Sequence, residues 1–159
     1  MAYIVREILH SDDAAVERVI RSCLIEFGGD HEGTAWADPM LGRFSEVYAP
    51  EGSRYWVACE QESGKVVGGV GVGPLDEEGL CELQKMYLLP EARGQGLAGI
   101  LMELALSFAK NHYKRIYLET LPNMTAAQHL YERFGFDRIS EPAAATGHFA
   151  CDVRYIRDL

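Results

Sequence analysis

Gly94, Gly96 and Gly99 lie between an apolar run that ends at Leu89 and a helical apolar pattern that starts at Leu97. A strand, a glycine loop and a helix start, in that order, suit a bound phosphate. The first amides of a helix lack an intrahelical acceptor, and the dipole places about half a positive charge beside them. Gly94 and Gly96 offer no side chain to block close approach, and Arg93 adds a cationic donor. The amides from Arg93 through Gln95 and Leu97 to Ala98 can thus surround a pyrophosphate.

Taken alone, Gly94-x-Gly96-x-x-Gly99 fits the dinucleotide fingerprint. Glu119, at a strand end about 20 residues beyond, stands where a ribose-binding acid would. Three features oppose a nicotinamide or flavin enzyme. Pro90 to Arg93 separate the loop from its strand, that strand belongs to an antiparallel meander, and only 40 residues follow Glu119. That remainder is too short for further βαβ units. A dinucleotide-dependent oxidoreductase is the remote alternative.

The elements that must position the loop follow from hydrophobic period. Tyr3 to Ile8 alternates weakly as a strand. Ser11 suits a helix cap with Asp12 and Asp13 behind it; Val16, Val19, Ile20, Cys23, Leu24 and Phe27 form one face, and Gly28-Gly29 ends the helix. Residues 28–38 read as a polar loop, and Asp38-Pro39 as cap and first position of a short helix bearing Leu41, Phe44 and Tyr48. Ser53–Glu60 and Lys65–Val72 flank a turn containing Gly64, which makes a hairpin, and Leu80–Leu89 extends it to a meander.

Leu97, Ile100, Leu101, Leu104 and Phe108 make a buried helix face, and helical crossover makes the strand Arg115–Thr120 parallel to its predecessor. A helix from Asn123 or Thr125 buries Ala127, Leu130, Tyr131 and Phe134 and stops at Gly135. Phe136–Ile139 and His148–Ile156 close the chain as two strands around a small-residue loop. The expectation is one α+β domain over residues 1–159, with a mixed sheet.

Arg93-x-x-Gly96-x-Ala98 resembles the Gln/Arg-x-x-Gly-x-Gly/Ala signature of the GNAT superfamily of N-acetyltransferases. Leu83–Gly99 is similar to that family's fourth strand and pyrophosphate loop, and Asn123–Phe136 to its asparagine-and-tyrosine helix. The order of elements also fits. The resemblance implies a mostly antiparallel sheet of about seven strands with about four helices, in which strands four and five are parallel and splayed. It implies acetyl-CoA as cosubstrate, with no metal. Its pantetheine would lie like an added strand along Met86, Tyr87 and Leu88, and an amide near Met86 or Leu88 would face the thioester oxygen.

By the same resemblance Tyr131 donates a proton to the departing thiolate, although its apolar stripe also reads as plain core. Asn123 contacts the cofactor or merely caps its helix. A lysine-like amine with pKa near ~10.4 is neutral in roughly one molecule in a few thousand at pH 7, so a base or water relay is expected. Glu82 is the candidate base, expected on one strand face with Gln84 and Met86; a solvated or ion-paired residue is the alternative. His148 is a candidate relay on the last strand. Cys151 alternates with Phe149, Val153 and Tyr155 and reads as core, against an acetyl-cysteine intermediate.

The implied activity is acetyl transfer to a primary amine, on a small molecule or on a protein or peptide, by direct attack in a ternary complex. A non-catalytic acyl-CoA sensor or interaction module on the same fold is the alternative. Residues 28–50 and 140–148 should shape the acceptor pocket, where Asp30, His31 and Glu32 suit a cationic amine.

Composition narrows the partners. The net charge of -9 over 159 residues opposes nucleic acid or an anionic membrane. No apolar run approaches the ~18 residues that cross a bilayer, and no export signal stands at Met1. Cys23, Cys59, Cys81 and Cys151 lie far apart without a Cys-x-x-Cys pair, as expected of reduced thiols in a cytoplasmic protein rather than a zinc site or disulfides. The last two strands offer an edge for a homodimer.

Overall fold

The β-branched and aromatic residues of 54–60 and 66–74 form the centre of a sheet whose two faces are both covered. A computed structural model describes residues 2–159. The strands are β1 (Tyr3–Glu7), β2 (Arg54–Glu60), β3 (Val66–Pro74), β4 (Leu80–Leu88), β5 (Arg115–Thr120), β6 (Asp137–Ile139) and β7 (Val153–Asp158). They lie side by side in the order β1-β2-β3-β4-β5-β7-β6. Strands β4 and β5 are parallel and the other neighbouring pairs antiparallel, giving the expected α+β mixed sheet.

The helices are α1 (Asp13–Glu26), α2 (Phe44–Val47), α3 (Leu97–Lys110) and α4 (Thr125–Arg133). On one face, Leu101, Met102, Ala105 and Phe108 of α3 and Leu130 of α4 pack on Cys81, Leu83, Ile116, Leu118 and Tyr155. On the other, Val16, Ile20, Cys23 and Leu24 of α1 and Phe44 of α2 pack on Tyr55, Val57 and Cys59. Each large side chain so buried contributes roughly 1.5–3 kcal/mol. No described helix is long and apolar enough to cross a membrane.

Four local expectations are corrected. Asp12, not Ser11, governs entry to α1: its carboxylate accepts the Leu9 amide at 2.7 Å and pairs with Arg6 at 2.7 Å. No helix starts at Pro39, because Gly42 sits at φ +97°, outside the right-handed region, so α2 is a single turn from Phe44. The last strand starts at Val153 rather than His148. The residues before it dock instead on the 28–38 loop, where the Ala150 amide meets the Gly33 carbonyl at 2.9 Å and Phe149 stays 75% exposed. Finally, β7 is interior to the sheet, so of the last two strands only the three-residue β6 presents an edge.

Candidate active site

Beyond Glu82 the sheet opens. β4 pairs with β5 only through Leu80–Arg115, Cys81–Ile116 and Glu82–Tyr117, while its pairing with β3 continues to Leu88. Opposite Val70, β4 carries two residues where β3 has one: Gln84 pairs with Gly71 and Tyr87 with Gly69. This β-bulge places Lys85 at φ +52°. The Lys85 carbonyl accepts the Tyr55 hydroxyl at 2.8 Å, which holds the kink.

The bulge resets side-chain alternation and corrects one expectation. Cys81 and Leu83, then Met86 and Leu88, face the α3 side, whereas Tyr87 packs in the opposite layer. Met86 therefore does not share a face with Glu82 and Gln84, because the extra residue shifts the period-two pattern by one.

The glycine loop follows a short 3-10 turn at Pro90–Ala92. Gly94 and Gly96 have φ +74° and +82°, and a Cβ on either would meet nothing within 4 Å, so both border open space. The first helix-closing bond is from the Ile100 amide to the Gly96 carbonyl at 3.2 Å. Among the described residues no oxygen accepts from the amides of Gly94, Gln95, Gly96, Leu97, Ala98 or Gly99. These donors fit an anionic diphosphate.

Arg93 is committed elsewhere. Its Nη1 and Nη2 donate to the Glu26 carboxylate at 2.7 and 2.8 Å, and its Nε donates to the Leu88 carbonyl at 3.0 Å. It ties the loop to the end of α1. Asn123 is not a helix cap either, since α4 starts at Thr125; its Nδ2 donates to the Phe27 carbonyl at 2.8 Å.

The gap between β4 and β5 brings together groups from both sides of the sheet. Tyr131 of α4 is buried against the rings of Phe136 and Tyr155, at 6.0 and 5.8 Å between centroids. Burial raises its phenol pKa, with the neighbouring Cys151 and Tyr155 adding to the shift. Tyr131 is a neutral donor at physiological pH. Cys151 lies off the strand yet half-buried, and burial, reinforced by Glu119, pushes its thiol up to about 12. A thiol so protonated is a poor nucleophile, against an acetyl-cysteine.

Glu82 is 7% exposed and accepts from Gln84 Nε2 at 2.8 Å, while Gln84 Oε1 accepts from the Tyr48 hydroxyl at 2.7 Å. Burial raises the Glu82 pKa; the Gln84 bond and Lys85 oppose the rise, and Glu119 adds to it. Asp38 binds Lys85 Nζ at 2.7 Å and His148 Nε2 at 2.9 Å. Burial pushes Asp38 up, but His148 and Lys85 outweigh it and leave the pKa lowered. Glu119 accepts from the Tyr117 hydroxyl at 2.6 Å and from the Thr146 hydroxyl.

The two loops expected to shape the acceptor side thus supply Asp38 and, from the other, Thr146 and His148. Asp30, His31 and Glu32 face solvent. Asp38, Lys85 and Glu119 escaped notice as acceptor-site groups. The visible signal was Lys85, the one cation inside the apolar run Leu80–Leu89.

A mixed sheet that forks between its parallel strands, beside a helix start with unclaimed amides, defines the acyl-CoA N-acyltransferase architecture. The chain belongs to the acetyltransferase (GNAT) family, whose model matches residues 16–136. It is 42% identical over 160 residues to the Escherichia coli protein called uncharacterized N-acetyltransferase YjgM, covering 98% of this chain and 95% of that one. In fold it is similar to a GNAT acetyltransferase of Staphylococcus aureus, with a TM-score of 0.87 at 23% identity and 99% of both chains covered. It is also similar to a Sinorhizobium meliloti phosphinothricin acetyltransferase solved with acetyl-CoA, with a TM-score of 0.76 at 18% identity, covering 100% of this chain and 89% of that one. Family membership displaces the dinucleotide reading, and Glu119 is engaged by Tyr117 and Thr146 rather than poised for a ribose.

Proposed function

We propose that the protein transfers the acetyl group of acetyl-CoA to a primary amine by direct attack in a ternary complex. The reading rests on one observation above all: the parallel strands part immediately after Glu82 and Tyr117. An extended amide chain can enter that opening as an added strand along Met86, Tyr87 and Leu88, with its diphosphate on the amides of Gly94 to Ala98. The acetyl-CoA bound to the phosphinothricin acetyltransferase supports the choice of cosubstrate. Arg93 braces the loop from α1 and turns toward the diphosphate only on leaving Glu26, while Asn123 holds the segment before α4 to the end of α1.

The acceptor enters from the side of Asp38, Glu82 and His148. Glu82 takes the ammonium proton through water, burial holding its pKa above the ordinary glutamate value. The amine nitrogen then bonds to the thioester carbonyl carbon, and an amide near Met86 or Leu88 meets the oxyanion. Collapse breaks the carbon–sulfur bond; Tyr131 gives its proton to the sulfur, and the second amine proton passes through water to restore the phenol. His148, held by Asp38, orders the water path.

Thiol release from acetyl-CoA across a panel of amines tests this reading. Amine-dependent release is the expected result. Tight binding of coenzyme A with no release for any amine would instead favour an acyl-CoA sensor.

A further inference from the structure

Hydrogen-bonding capacity in the acceptor side is spent unevenly. Both oxygens of Asp38 are taken, by Lys85 and His148, and both oxygens of Glu119 by Tyr117 and Thr146. Gln84 occupies one oxygen of Glu82. The acids are thus largely satisfied from within, and a second ammonium on the acceptor would find little to bind. Donors are in surplus. The Lys85 ammonium carries three N–H groups and spends one on Asp38. Arg154 lies directly across from Glu119 on β7, and its Nε is buried with no acceptor.

Lys85 also stands where a plain strand would not put it. Without the bulge, residue 85 would point into the α3 core; with it, a non-glycine residue holds φ +52° and a side chain only 13% exposed beside Glu82. Left-handed backbone at such a residue is strained and persists where the surroundings require it. A cation delivered at that cost to a pocket with surplus donors calls for an anion.

We infer that the acceptor is an aminocarboxylate, whose amine faces Glu82 and whose carboxylate is received by Lys85, with the surplus N–H groups of the pocket serving the same charge. The inference rests on the acetyl-transfer reading of this site and adds the substrate class. It sets free amino acids and related small amino acids above polyamines, aminoglycosides and protein amines.

The test uses matched acceptors with acetyl-CoA and thiol detection: amino acids, their methyl esters, their decarboxylated amines, diamines, and short peptides with free amino termini. The expected result is kcat/KM at least tenfold higher for some free acid than for its ester and its decarboxylated amine. Lys85→Met should collapse that acid-over-amine preference at least fivefold, through KM rather than kcat. The double variant Lys85→Met/Asp38→Asn, which leaves no unpaired carboxylate, should collapse it equally. Diamines or peptides turned over better than every free acid, or a preference unchanged in both variants, would overturn the inference while leaving acetyl transfer intact. No release with any amine would remove the underlying reading instead.

Discussion

Glu82 of β4 and Tyr117 of β5 are the last residues paired by the two parallel strands, so the buried carboxylate sits at the base of the fork. Unpaired strand edges are costly unless something satisfies them. The fork places that requirement, the candidate base and the acceptor loops at one point.

Tyr131→Phe removes a hydroxyl with no hydrogen-bond partner among the described side chains and keeps the ring packed on Phe136 and Tyr155. Folding stability should change by less than about 0.5 kcal/mol. Turnover should fall about tenfold or more, with coenzyme A affinity nearly intact. Steady-state kinetics and calorimetric titration check the two halves, and an unchanged kcat would take Tyr131 out of the mechanism.

Glu82→Gln should lower kcat/KM and erase the acidic limb of its pH profile. That limb lies above the ordinary glutamate value of 4.5, because burial raises the carboxyl in the folded protein. The stability effect has the opposite sense. In the wild type the folded state holds this proton more tightly, so stability falls as pH rises from 4.5 through the raised value. The variant should be more stable than wild type above that window and match it below, as read by thermal melts at several pH values.

Gly96→Ala puts a methyl group at φ +82° on the open side of the loop. The left-handed backbone should cost about 1–2 kcal/mol of stability. Coenzyme A should bind about tenfold more weakly, the loss of roughly one good contact at the diphosphate. Dephosphorylated pantetheine, which does not reach the loop, should show no loss of affinity.

Glu26→Gln should tighten binding of coenzyme A two- to fivefold at low salt. Glu26 holds Arg93 at 2.7 Å, and the pair is about one-third exposed, so its release costs only about 0.2–1 kcal/mol. The gain should shrink in 0.5 M salt, since the freed cation acts through charge. Weaker binding in the variant would show that Arg93 serves the site through its present pairing.

Much of this was legible because it is local. The meander, the buried face of α1 and the spacing from Arg93 to Ala98 depend on residues near one another in the chain, and period and turn chemistry encode such features directly. On α3, by contrast, Ile100 and Leu104 are exposed although expected on its buried face. The missing helix start at Asp38-Pro39 and the late start of β7 were not legible. Both segments are held by contacts with distant partners, Lys85 and His148 in one case and Gly33 in the other.

The sequence by itself determined the family, the element order and the glycine loop, since these rest on short spacings and on side-chain period. Only the tertiary structure decided the character of the pocket. A single extra residue at Lys85 turned Met86 away from Glu82 and brought a cation to Asp38, because a bulge depends on the strand alongside it. Likewise, Thr146 and His148, which bind Glu119 and Asp38, come from a loop distant in sequence that meets them only once the sheet has formed.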